Sequence, residues 1–307
     1  MDAGAPHHSG VIIDGAKGGS SVNYQMVPLS AGLYFVGVPI GTARDITLRA
    51  LDVLASADVL AAEDTRSLRK LMDIHGVPLR DRRIVALHDH SSEGVGARLV
   101  DAVKEGKSVA YASEAGMPLI ADPGFELSRL AARETITVTC APGPSAVVTA
   151  LALGGLPTDA FFFAGFLPST TTARSAALEK LKDVAGTLVF YESPKRVGAM
   201  LRDAAVVLGA GRSAAVCREL TKKFEEIRRG SLEELSQFYE KANPKGEIVV
   251  LVDRGHLETV KQVDIETSLR TALKEMSVRD AADMVSQAHD LPRRKVYQMA
   301  LALDRDG

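Results

Sequence analysis

The chain has 307 residues, which at roughly 150 residues per domain predicts about two domains. It is 46% hydrophobic and 25% charged, with glycine and proline scattered without a period, so intrinsic disorder and a collagen-like repeat are excluded. A formal charge of −2 lacks the basic excess of a protein that wraps DNA, so DNA is not an expected partner and any RNA contact needs a local patch.

Residues 1–31 are rich in glycine and serine and read as a flexible leader, without the apolar core of a signal peptide. From Leu33 onward, short runs of Val, Ile, Phe and Ala alternate with stretches of helical period. LYFVGV (33–38), VLAA (59–62), RIVAL (83–87), SVAYA (108–112) and ITVTC (136–140) are predicted strands. Helices are predicted after Asp45, which reads as a cap, and over 66–75 and 95–105. LGGLPTD (153–159) breaks the pattern. A second series follows, with strands FFFAGF (161–166), TLVFY (187–191), AAVCREL (214–220) and EIVVLVD (247–253), and helices over 173–184, 194–208 and 231–241.

Strands alternating with helices predict two consecutive α/β domains, placed at 32–156 and 157–255. The tail, 262–307, reads as three short helices with breaks near Ser277 and Pro292, and Pro292 belongs in the first turn of the last one. Val278, Ala281, Ala282 and Val285, and again Val296, Met299, Ala300 and Leu303, form apolar stripes that can bury against Leu269 and Leu273. No apolar run approaches the ~18 residues of a membrane span, so no membrane partner is expected. Cys140 and Cys217 lie in apolar runs and read as reduced buried thiols, consistent with a cytoplasmic location.

Ligands of open α/β sheets bind at the carboxyl ends of strands. There the sequence places Gly37–Thr42, Ser113–Gly124 and Ala141–Ala146, three Gly/Pro loops suited to a rigid main-chain cradle. No GxxxxGK[ST], GxGxxG or GxSxG pattern stands where a P-loop, a dinucleotide site or a nucleophile elbow requires it.

Several ordered segments carry a resemblance: Val38-Pro39-Ile40-Gly41, Ala62-Glu63-Asp64-Thr65-Arg66, Ser113-Glu114-Ala115-Gly116, Pro118 to Gly124, Pro142-Gly143-Pro144-Ser145-Ala146, Tyr191-Glu192-Ser193-Pro194 and Arg218-Glu219-Leu220-Thr221-Lys222. Together they resemble the tetrapyrrole-methylase family, class III S-adenosylmethionine (SAM) methyltransferases, and within it the bacterial cytidine 2′-O-methyltransferases of 16S ribosomal RNA. The resemblance runs from about Leu33 to the C-terminus. It implies two αβα domains with SAM in the cleft between them, a small helical module, a homodimer, and a cytidine (cytidine-1402) of the small ribosomal subunit as acceptor. It assigns cofactor contacts to Pro39, Gly41, Glu114, Ala115, Gly116, Met117, Pro118, Ser145, Ala146, Tyr191 and Leu220. Val38, Glu114 and Met117 depart from the family's usual Thr, Asp and Thr.

A ribose hydroxyl needs a proton acceptor within hydrogen-bond reach. Glu63, Asp64, Glu192 and Glu219 with Lys222 are candidates; Glu192 is favoured, with Arg218 and Lys222 shaping the substrate side. Asp64 and Glu192 can equally cap helices, and Glu219 with Lys222 can be a solvated pair. Arg66, Arg196, Arg293, Arg294 and Lys295 are candidate RNA contacts. His88 and His90 lack further ligands nearby, so no metal is expected. A tetrapyrrole-precursor C-methyltransferase and a non-catalytic ribosome-assembly factor with a relic SAM pocket are the alternatives.

Overall fold

Strand-forming runs bounded by glycine, proline or acidic turns assemble into two five-stranded sheets. The computed structural model describes residues 23–88, 93–120, 124–254, 257–289, 291 and 293–305. The backbone divides into two units, Met1–Pro144 and Ser145–Gly307.

The first unit contains β1 (Gly32–Val36), α1 (Leu48–Ser56), β2 (Val59–Ala62), α2 (Thr65–Ile74), β3 (Ile84–Ala86), α3 (Glu93–Lys104), β4 (Ser108–Ala112), α4 (Phe125–Arg133) and β5 (Val138–Ala141). Its sheet is wholly parallel, in the order β3-β2-β4-β1-β5. β4 is buried along its length, as a central strand covered on both faces requires. The cap of α1 is not Asp45, which falls in a 3-10 turn, but Thr47. Thr47 has the extended backbone of an N-cap, and its hydroxyl accepts from the Ala50 N–H at 3.2 Å. The end of the expected flexible leader is packed: Tyr24 and Leu29 lie against the core, and the Val27 N–H donates to Ser56 Oγ at 2.9 Å. Residues 1–22 lie outside the described residues.

The second unit contains α5 (Ala146–Gly154), β6 (Phe161–Phe166), α6 (Thr171–Glu179), β7 (Thr187–Glu192), α7 (Val197–Leu208), β8 (Ser213–Arg218), β9 (Glu226–Ser231), α8 (Leu232–Lys241) and β10 (Ile248–Val252). Its sheet is mixed, in the order β6-β7-β10-β8-β9, with β10 antiparallel to both neighbours. Sequence reading missed β9 (EIRRGS), an edge strand of polar residues paired with β8. The unit boundary also precedes the expected 156/157. Helix α5 packs on β8 and β10, so its apolar residues belong to the second core, and Arg229 on β9 donates to the Gly154 carbonyl at 3.0 Å. Helix 173–184 starts earlier and ends at Glu179, whereas 194–208 starts only at Val197.

The tail forms α9 (Leu257–Ala272), α10 (Val278–Ala288) and α11 (Arg293–Arg305). The three build their own core from Leu269, Ala281, Ala282, Val285, Val296 and Ala300, with Leu273, Met299 and Leu303 at its margin. Ser277 caps α10 through the Asp280 N–H. The expectation for Pro292 lies outside the described residues. Among the described residues, no helix is long and apolar enough to cross a membrane.

At the opposite ends of β2 and β4 from the Gly/Pro loops, Asp58 lashes the two strands together. Its carboxylate accepts from Ser108 N at 2.8 Å and Ser108 Oγ at 2.6 Å. These bonds, the hydroxyl one foremost, hold the Asp58 carboxyl below the usual aspartate range. Asp58→Ala should cost on the order of 1 kcal/mol, since the site is open enough for solvent to screen it. A lowered acid pKa gives stabilisation present above the unfolded aspartate value and lost as pH falls through the folded one. Urea unfolding at pH 7 and below pH 3 checks this: the difference from wild type should be present at the first and absent at the second.

Candidate functional site

In the first unit, the loops after β1, β4 and β5 are knitted into one frame. Val38 and Gly116 exchange both backbone hydrogen bonds, at 2.9 and 3.1 Å, and the Gly37 N–H donates to the Ala141 carbonyl at 2.9 Å. A Cβ on Gly37 would stand 2.6 Å from Gly143 N and 2.7 Å from its Cα, so the two backbones cross where only glycine fits. Met117, which replaces a hydroxyl residue of the family pattern, accepts from the Gly143 N–H through its sulfur at 3.2 Å. Ser113 Oγ donates to the carbonyls of Ala115 and Gly116 and stiffens the loop.

A cavity of about 220 Å³ opens beside this frame, lined by Pro39, Gly41 and Glu114 together with Ser67, Lys70 and Leu71 of α2. Sequence reading supplied the first three; the α2 residues carry no motif. Gly116 and Pro118, expected as cofactor contacts, are buried, and the Gly116 N–H is spent on Val38, so both belong to the frame. Ala115 and Met117 are half-buried and Glu114 is exposed. The Glu114 N–H donates to Glu63 Oε2 at 3.2 Å, which ties the ends of β2 and β4 together. Part of the β4 loop, 121–123, and His90 lie outside the described residues; among those described, no cluster of three or more His, Cys, Asp or Glu side chains could hold a metal.

Asp64, a candidate base, is the N-cap of α2. Its carboxylate accepts from the N–H groups of Arg66 and Ser67 at 2.7 and 3.3 Å, and the Arg66 bond leads in lowering its pKa. A helix cap held ionised is a weak proton acceptor. Arg66 pairs with this carboxylate at 3.4 Å, yet its side chain is 92% exposed, so it can still meet a phosphate.

In the second unit the register sets the site. Ile248 of β10 pairs with Glu192 on one side and Arg218 on the other, so β7 and β8 deliver their following loops at one level of the sheet. Tyr191 is half-buried, with its ring edge-on to Phe163 and Phe166 at 4.9 and 5.7 Å. Ser145 occupies the N-cap position of α5 without using its side chain as a cap. Ala146 begins that helix, and Leu220 is buried.

The Glu192 side chain is fully buried: Oε1 accepts from the Ser193 N–H at 2.8 Å and pairs with Arg196 at 3.3 Å, while Oε2 has no partner. Burial pushes its carboxyl above the ordinary range. Arg196 is not displayed toward a ligand as expected; it is held by Glu192 and by the carbonyls of Leu167 and Pro168, because the loop after β6 leaves those carbonyls unpaired. Arg218 pairs with Glu226 at 2.9 Å and donates to the Lys245 carbonyl at 3.2 Å. Lys222 is gripped by Glu219 and Glu247, both at 2.9 Å. Burial opposes its charge, but the bonds to Glu247 and Glu219 outweigh it and hold the ammonium above its ordinary range, which disqualifies Lys222 as a neutral base. Glu219, bonded to Lys222, is held low. Glu192 is therefore the candidate base whose environment favours taking up a proton.

In the tail, Arg293 is committed to Asp283 of α10 at 3.0 Å, leaving Arg294 and Lys295 exposed at the start of α11.

Residues 32–236 match the family model of Tetrapyrrole (Corrin/Porphyrin) Methylases, and residues 259–304 match that of the RsmI C-terminal HTH domain. The chain is 44% identical over 277 residues to the Ribosomal RNA small subunit methyltransferase I of Mesorhizobium japonicum, covering 90% of this chain and 93% of that one. The protein of that name from Halalkalibacterium halodurans is 39% identical over 285 residues, with 90% and 97% covered. Among solved structures, the cobalt precorrin-4 methyltransferase is similar in fold with a TM-score of 0.54, at 18% identity over 72% of this chain and 94% of that one.

The glycine crossing yields a direct test. Gly37→Ala should destabilise the protein by about 1–3 kcal/mol, because the opposing atoms are backbone and cannot step aside. Gly96→Ala, inside α3 with open space around it, should be neutral or stabilising by roughly 0.5–1 kcal/mol. Equal midpoints for the two variants in thermal unfolding would contradict the crossing.

Proposed function

The chain belongs to the tetrapyrrole (corrin/porphyrin) methylases, and from that membership we propose that it methylates small-subunit ribosomal RNA with SAM as methyl donor. The observation that carries this reading is the 44% identity over 90% of the chain to a ribosomal RNA small subunit methyltransferase. The acceptor is the ribose 2′-hydroxyl of one cytidine, cytidine-1402 of 16S RNA in the small ribosomal subunit. Ribosomal RNA as substrate implies the cytoplasm, and the enzyme works as a homodimer. A tetrapyrrole acceptor is disfavoured by the tail, whose residues 259–304 match the RsmI C-terminal HTH domain. The Met117 departure does not mark a relic pocket, since its sulfur has a use in the loop frame.

The first unit's residues suit part of SAM: a rigid loop frame beside a cavity of about 220 Å³ edged by Pro39, Gly41 and Glu114, with Ala115 and Met117 in the same loop. Ser145, Ala146, Tyr191 and Leu220 remain proposed cofactor contacts on the sequence resemblance. When bound, the donor supplies an electrophilic methyl group on sulfur. In-line transfer is mainly a matter of alignment, so rigid loops are what the protein contributes. Glu192 takes the hydroxyl proton on Oε2, the oxygen with no partner. Arg218, paired with Glu226, and Lys222, paired with Glu219, present positive charge to the acceptor's phosphates.

Methyl transfer to unmethylated small ribosomal subunits, with the product nucleotide mapped, tests the activity; no labelled RNA would defeat it. Glu192→Gln should lower kcat by roughly 10²–10⁴-fold with SAM affinity retained. Because its pKa is raised, the wild-type rate should fall with acid at a higher pH than an ordinary glutamate gives, and the variant should lose that limb. A variant with wild-type kcat would remove Glu192 from the mechanism.

Positive charge at the start of α11 opposes the helix dipole, and a phosphate there relieves it. Arg294→Ala with Lys295→Ala should therefore weaken RNA binding and reduce the salt slope by about one unit per residue. Unchanged affinity and slope in filter binding would leave these side chains a solvated helix end.

A further inference from the structure

A second cavity, of about 380 Å³, lies in the second unit beside the loop that carries Arg218 and Lys222. Two large aromatic side chains line it while facing water: Phe224 is 63% exposed and Phe238 is 41% exposed. Arg228 stacks on the Phe238 ring, its guanidinium carbon 3.7 Å from the centroid. Tyr239, also in the wall, is 4% exposed, with its hydroxyl beside the Arg228 side chain. Asn243 adds an amide to the lining and Lys245 adds positive charge, while the Arg218 guanidinium in the wall is paired with the Glu226 carboxylate at 2.9 Å.

The walls are built at some cost. Glu219 and Thr221 sit at φ of 51° and 61°, left-handed values that non-glycine residues rarely hold. The Glu219 carboxylate locks this loop by accepting from Lys222 Nζ at 2.9 Å and from the Glu247 N–H at 3.0 Å. Gly246, at φ +90°, lets the carboxylate in, since a Cβ there would meet Glu219 Cδ at 2.2 Å. The segment through Asn243 and Lys245 is thereby fixed against the candidate substrate loop.

Exposed aromatic faces, an amide and a phenol to meet a base edge, and the Lys245 cation for a phosphate match one ligand chemistry: a splayed-out nucleotide. The volume lies at the small end of the roughly 300–1,000 Å³ range of ligand pockets and suits a single nucleotide. We propose that this pocket is a nucleotide subsite, taking one unpaired nucleotide of the acceptor RNA next to the one that is methylated. It rests on the reading that RNA is the acceptor, and it adds a determinant of which RNA shape is accepted.

The test uses the full-length protein, unmethylated small ribosomal subunits for kinetics, and a fluorescent single-stranded RNA decamer for direct binding. Phe224→Ala should raise KM for the subunits five- to hundredfold and weaken decamer binding likewise, with kcat and SAM affinity within twofold of wild type. Phe224→Trp should restore both, which a merely structural role would not do. Tyr239→Phe, which removes only the buried hydroxyl, should raise KM about threefold or more while leaving the unfolding midpoint in place. Unchanged KM and decamer affinity in Phe224→Ala overturn the proposal. So does a shift from dimer to monomer by light scattering with decamer affinity intact, which would make the aromatic pair a contact between copies. If wild type methylates no subunits but Phe224→Ala still loses decamer affinity, the pocket stands and the methylation reading falls.

Discussion

The contact on which the first unit's site depends is the crossing of Gly37 over Gly143. The loops that follow the paired strands β1 and β5 are brought within van der Waals distance, main chain against main chain. The other contacts of the loop frame lie around that approach. Val38 can reach Gly116 for a reciprocal backbone pair, Met117 can offer its sulfur to the Gly143 N–H, and Glu63 can meet the Glu114 N–H. A sheet alone fixes its strands and leaves its loops free. Here the loops after β1, β4 and β5 share one frame, and the small cavity beside it inherits that rigidity. Pre-organisation of this kind suits a reaction that needs alignment more than acid–base work.

The second unit solves the same problem with charge instead of close backbone approach. Its sheet is mixed, so β10 runs against both β7 and β8, and Ile248 stands level with Glu192 and Arg218. The loops leaving those residues are then held by ion pairs. Arg196 binds the carbonyls of Leu167 and Pro168, and Arg174 binds that of Ser169 at 3.0 Å while paired with the buried Asp203. Buried pairs add little net stability over well-packed apolar groups, but losing one partner strands the other. Their use here is positional: two arginines fix the loop after β6 against the start of α7. Glu192 Oε2 is buried without a hydrogen bond, as are other polar atoms of this unit, Arg212 Nη2 among them. Glu192 Oε2 is the carboxylate oxygen of that set, the kind of atom a proton-accepting role requires.

Apolar strands were legible in the sequence: VLAA and SVAYA fall without a shift on the largely buried β2 and β4, and FFFAGF on β6, an edge strand whose Phe161, Phe162 and Phe166 are exposed. The tail's core was legible from its helical spacing, down to Leu269 as the partner of Val285 and Val296. What escaped was set by tertiary pairing. β9 is polar and exists because β8 offers it an edge. Helix α5 looks like the close of the first series, yet its apolar face finds the second sheet. Of the candidate site, the Gly/Pro loops were legible, since backbone approach demands those residue types. The sorting of charged residues was not: nothing in the sequence says that Arg196 is held by Glu192 and two carbonyls while Arg66 stays 92% exposed, or that Arg293 pairs with Asp283 while Arg294 is exposed.

That sorting bears on how a chain with a formal charge of −2 would meet the anionic acceptor proposed for it. Much of its positive charge is neutralised locally: Arg293 by Asp283, Lys104 by Glu134, Arg129 by Glu126. Charges paired at the surface contribute little to a long-range field, and salt screens what is left. Among the described residues, Arg294 and Lys295 stand exposed at the start of α11, and Arg66 at the start of α2 is 92% exposed despite its contact with Asp64. For the proposed RNA acceptor, scattered cations of this kind gain affinity when several contacts engage together, so RNA shape contributes to recognition beside charge.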